Sequence, residues 1–114
     1  MAILTREEIM NLDDLPVEVV EVPEWGGEVK VRGMSAEERV RWADKVKGED
    51  GKSIDVEKAG YYAIVVGVVE PKFDETDVAW LRKKSASALD RIANRWLALS
   101  GLGTEALVEG RKNS

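Results

Sequence analysis

The chain has 114 residues, 44% of them hydrophobic and 34% charged, with 17 basic against 22 acidic side chains. A net charge of −5 disfavours generic nucleic-acid binding and adhesion to anionic membranes, both of which need a cationic face. Histidine and cysteine are absent, which removes the commonest general base, the commonest zinc ligand, thiolate chemistry and disulfides together. Composition therefore points to one soluble acidic domain over residues 1–114, rather than an enzyme.

The first element is signalled by Thr5-x-x-Glu8, a capping box that opens a short helix over about 5–11. No apolar stretch of signal-peptide length precedes it. Pro16 then starts an extended segment. Val17, Val19, Val20 and Val22 roughly alternate with Glu18 and Glu21, and Glu28-Val29-Lys30-Val31-Arg32 alternates strictly. Period two with one apolar face is the signature of a half-buried strand. Gly26-Gly27 supplies the positive φ angles of a turn, so a β-hairpin is predicted over about 17–33.

Ser35-x-x-Glu38 is a second capping box. Ala36, Val40, Ala43 and Val46 follow at helical spacing, which predicts a helix over about 35–47. Gly48 to Ser53 reads as a polar loop and the most disordered or variable stretch. Residues 56–70 hold the longest apolar run, Ala59 to Val69, well short of the roughly 20 residues of a membrane span. Ile64 to Val69 is strand-like by propensity, but length and the acidic start favour a buried helix, ending before Pro71. Asp74 caps a helix over about 74–83, with Val78 and Leu81 on one side. The clearest helix is 85–100, with Leu89, Ile92, Ala93, Trp96 and Leu97 on one stripe and Asp90, Arg91, Asn94 and Arg95 opposite. Gly101 is its natural C-cap. A last short helix from Thr104 and a flexible tail over about 103–114 complete the reading. The fold class is α+β: a small, mainly helical domain with an N-terminal β-hairpin, whose main core is the Trp96 stripe against 56–70.

No catalytic, cofactor or metal residue is assigned. Asp74-Glu75-x-Asp77 suits a helix cap better than a cation site, and Glu49 to Asp55 lacks the ligand spacing of a calcium loop. Gly101-x-Gly103 is too short to cradle a phosphate. The tryptophans say more. Trp96 belongs to the core stripe. Trp42 and Trp80 lie off the tidiest stripes and are expected to be partly exposed. Trp25 sits at the hairpin turn, where it either closes the core or anchors a partner. Leu102, Leu107 and Val108 flank or follow the glycine break as spare apolar residues. Trp25, Trp42, Trp80, Leu102, Leu107 and Val108 are therefore the candidate partner-binding residues, with self-docking or a homo-oligomer as the alternative use of the final segment.

Several segments together resemble a known family. Val20-Glu21-Val22-Pro23-Glu24-Trp25-Gly26-Gly27, then Val29-x-Val31-Arg32-Gly33-Met34-Ser35-x-x-Glu38-Arg39, resembles the N-terminal half of the tail assembly chaperones of long-tailed bacteriophages and related prophages. The opening Ile3-Leu4-Thr5-Arg6-Glu7-Glu8-Ile9 fits, as do Lys84-Ser85-Ala86, Leu89-Asp90-Arg91-Ile92, Leu99 to Gly103 and Lys112-Asn113-Ser114. Residues 48–55 and much of 58–80 lie outside the resemblance, and Gly67 inside the buried segment departs from the pattern. The resemblance implies a non-enzymatic protein of the host bacterial cytoplasm. It would bind the long, largely helical tape measure protein, keep it soluble and help recruit tail tube subunits, alongside a longer frameshifted form of itself. The competing readings are a structural or connector component of the tail, and a carboxylate-based cation-binding domain.

Overall fold

The computed structural model describes residues 2–102. Its order is α1 (Arg6–Asn11), β1 (Val17–Val22), β2 (Gly27–Arg32), α2 (Ala36–Lys45), α3 (Val56–Gly67), β3 (Val68–Glu70), α4 (Val78–Leu81) and α5 (Ala86–Leu99). The expected α+β class, mainly helical with a hairpin near the N-terminus, is what the chain forms. Both capping boxes close reciprocally: Thr5 with Glu8, and Ser35 with Glu38. No helix among the described residues is long and apolar enough to cross a membrane.

β1 and β2 form the expected antiparallel hairpin, with Val20 opposite Val29 and Val22 opposite Gly27. A 3-10 turn over Pro23–Trp25 ends at Gly26, whose φ of 70° is the left-handed conformation the turn requires. The hairpin gains a third strand that the sequence reading assigned to helix. Residues 56–70 are helical only to Gly67; Val68–Glu70 turn into β3 and pair antiparallel with β2, Val68 opposite Val31. Val68 is thereby buried on the inner face beside Val20, Val22, Val29 and Val31.

α5 and α3 cover that face. Leu89, Ile92, Ala93, Trp96 and Leu97 are all buried, as their spacing predicts, and α5 packs chiefly on α3 and on β1. Trp96 lies at the centre with no solvent exposure. Its indole N–H donates to the Arg32 carbonyl at 2.9 Å, and its ring meets Trp42 edge-on at 5.6 Å. Gly67 lies flush against it: a Cβ there would stand 2.6 Å from Trp96 Cδ1. Glycine at this position is thus required by the tryptophan. Gly101 (φ 84°) ends α5 in a Schellman arrangement. Its N–H reaches the Ala98 carbonyl, and the Leu102 N–H reaches that of Leu97.

Three other expectations change. The apolar side of α2 is Trp42 with Val46, both buried, while Val40 is 71% exposed. The 48–55 loop is a closed turn. The Asp50 carboxylate accepts from the amides of Lys52 and Ser53 and from the Ser53 hydroxyl, and Lys47 bridges to Ile54. The predicted 74–83 helix is shorter: a 3-10 turn over Glu75–Asp77, capped by Asp74, leads into a four-residue α4. The segment from Thr104 and the tail lie outside the described residues.

The polar flank of α5 clasps the hairpin. Arg95 takes Glu18 in a two-pronged contact and Arg91 takes Glu24. The Arg91 guanidinium holds the Glu24 carboxyl below the usual carboxylate range. Backbone amides do the same for Asp50, and the Thr76 hydroxyl and amide for Asp74. A folded-state value below the unfolded one means stability that is present above the unfolded value and lost as pH falls through the folded one. The thermal midpoint should therefore hold from pH 7 to about 5 and decline below about 4. A midpoint that stays level down to about pH 3 would show that these contacts contribute nothing.

Candidate functional site

Two of the candidate tryptophans, 55 positions apart in sequence, meet in one groove. Trp25 is presented by the turn between β1 and β2, which the Glu24–Arg91 pair ties to α5. Trp80 is presented by α4, and its indole N–H donates to the Asp77 carboxylate at 3.0 Å. Phe73 approaches Trp80 with ring centroids 5.9 Å apart, and the Lys84 ammonium lies 5.9 Å from the Trp80 ring centroid. Leu81, fully buried, forms the floor. The space enclosed by Trp25, Phe73, Trp80, Leu81 and Lys84 is about 210 Å³.

Solvent still reaches both indoles: Trp25 is 36% exposed and Trp80 44%. Trp25 thus stays at the surface and does not close the core. The groove is smaller than the roughly 300–1,000 Å³ of small-molecule sites. Lys84 is the single ionisable group in the lining, so nothing there forms an acid–base pair. What the arrangement can do chemically is bury apolar surface, with an ammonium at the rim to meet a carboxylate.

A second hollow, of about 470 Å³, lies at the other end of the hairpin between Pro16, Met34 and Leu99. It has no aromatic lining and is walled largely by small residues and Pro16. The acidic residues of 74–77 serve as a cap, as expected, with Asp77 reaching back to the Asp74 amide. Among the described residues no cluster of three or more acidic side chains is placed to hold a metal ion.

The other candidates do not join the groove. Trp42 is only 3% exposed and packs on Trp96, so it is a core residue and no partner anchor. The expectation failed because Trp42 and Val46, four residues apart, form the buried stripe of α2 in place of Val40. Leu102 is half-buried, packed on the core by the turn that ends α5. It is therefore not a spare apolar residue. Leu107 and Val108 lie outside the described residues.

Sequence reasoning missed Phe73, Leu81 and Lys84 as lining residues, since nothing local marks them. It also missed the exposure of Ile3, Leu4, Ile9, Met10 and Leu12 around α1. The available signal was the isolation of that apolar group, separated from the hairpin by Asp13-Asp14 and Pro16.

No family model, curated protein or solved structure matches the chain.

Proposed function

We propose that this protein is a non-enzymatic tail assembly chaperone of a long-tailed bacteriophage or prophage, acting in the host cytoplasm. It binds the tape measure protein through the Trp25–Trp80 groove and keeps it soluble until tail tube subunits take over. The observation that carries the reading is the pairing of two half-exposed indoles over a leucine floor. Tryptophan contributes more than most residues to protein–protein contacts, because a large rigid ring buries much area at small entropic cost. A helical tape measure chain offers rows of apolar side chains of matching size, in the manner of a helix laid in a groove. The net charge of −5 keeps such a complex in solution. The sequence resemblance supplies the biological setting.

Co-expression with tape measure fragments tests this. Wild-type protein should co-purify with at least one fragment. Trp80→Ala and Trp25→Ala should each weaken that binding at least about tenfold, the usual effect of truncating an aromatic anchor, while far-UV circular dichroism stays unchanged. Undiminished binding by both variants, or stoichiometric presence of the protein in purified virions, would refute the proposal.

A further inference from the structure

Residues 2–14 form an exposed arm whose root, at Asp14, borders the hollow beside Pro16 and Leu99. Every one of them is exposed, including the whole of α1. Ile3, Leu4, Ile9, Met10 and Leu12 make up half of the large hydrophobic side chains exposed among the described residues. A six-residue helix is too short to hold its shape in water by hydrogen bonding alone, even with a capping box. Such a helix is stabilised by laying an apolar face on another surface, and α1 buries no residue on its own body.

Charge narrows the choice of surface. The arm carries Glu7, Glu8, Asp13 and Asp14 against Arg6. The densest basic run in the chain is Arg82-Lys83-Lys84, directly after α4 at the edge of the aromatic groove. Arg82 is engaged with Glu57 and Lys84 lies over the Trp80 ring, while no ion pair forms at Lys83 among the described residues. An acidic apolar segment and an apolar groove with a basic rim are complementary in both respects.

No residue of the arm lines the groove of its own molecule. The arm leaves the body at Pro16, whose carbonyl accepts from the Gly33 N–H beside the end of α5. Trp25 lies at the far end of β1, about 20 Å away at the rise of a six-residue strand. The groove of a neighbouring molecule is open to an arm that buries none of its residues on its own body.

We propose that the N-terminal arm of one copy docks its apolar side chains in the Trp25–Trp80 groove of a second copy, with its carboxylates towards Lys83 and Lys84. This holds with or without the tape measure reading, because it concerns the chain alone.

Sedimentation equilibrium of the full chain without any partner tests it. The wild type should exceed the 12.6 kDa of one chain, with association weakened by high salt as screened ion pairs require. Three variants probe the two halves of the contact: Ile9→Asp combined with Met10→Asp, Trp80→Ala, and Lys83→Glu combined with Lys84→Glu. Each should raise the dissociation constant at least tenfold with an unchanged circular dichroism spectrum. A wild type that is monomeric at all concentrations overturns the proposal, and so does unaltered association of the arm variant or of both groove variants. A monomer whose tryptophan fluorescence responds to the arm substitutions would place the arm on its own groove, which overturns the exchange. Failure of tape measure binding leaves every one of these readouts intact.

Discussion

Trp96→Ala should lower the unfolding free energy by about 3–5 kcal/mol, the range for removing a large aromatic from a core. The upper half of that range is expected for two reasons. The indole is wholly enclosed between α3, α2 and the sheet, so the surroundings have little freedom to collapse into the space. Its N–H is also the partner of the Arg32 carbonyl, which would be left without that bond. Urea unfolding followed by circular dichroism reads the effect as a lower midpoint at constant slope. A midpoint equal to that of the wild type would mean that the core is centred elsewhere.

Gly67→Ala is the sharper test, because propensity and packing oppose each other. Alanine in a helix is favoured over glycine by up to about 1 kcal/mol, and less at the last position of α3. Against that, the new methyl would sit 2.6–2.7 Å from three atoms of the Trp96 ring. The ring is boxed in and hydrogen-bonded, so it cannot swing aside. Overpacking of this kind costs about 1–3 kcal/mol and occasionally more. Packing should win, and the variant should be destabilised by about 2 kcal/mol net. The effect should vanish in the Trp96→Ala background, where the methyl enters the vacated space, giving a large coupling between the two sites. Additive losses in the double variant would disprove the contact.

The parts of the fold that were legible in the sequence are those whose cause is local. Thr5 with Glu8 and Ser35 with Glu38 satisfy helix ends within four residues, so the residues announce the helix starts. The strict alternation of 28–32 and the stripe from Leu89 to Leu97 are likewise set by strand and helix periods. β3 was not legible. Val68 and Val69 continue an apolar run that a buried helix would also carry, and they become strand only because Val31 lies opposite. Trp42 was misplaced for a related reason: with Val40 and Val46 both available, tertiary contact with Trp96 decided which side of α2 turned inward. Of the groove, Trp25 and Trp80 were suspected singly. That they share one groove is a fact about how the hairpin turn packs on α5 and α4 on α3, and no spacing rule connects residues 55 apart.

The hydrogen bonds that close the fold tie its beginning to its end. Trp96 reaches back 64 residues to Arg32, Ser100 accepts from the Met34 amide across 66, and Arg95 grips Glu18 across 77. Closing loops of that length is entropically opposed before any burial compensates, and topologies dominated by such contacts fold slowly. The inner valines of the hairpin lack the larger part of their cover until α5 exists. During synthesis the segment before Ser85 therefore emerges from the ribosome with helix starts and a turn but without its main cover, and the arrival of α5 seals the sheet in one late step.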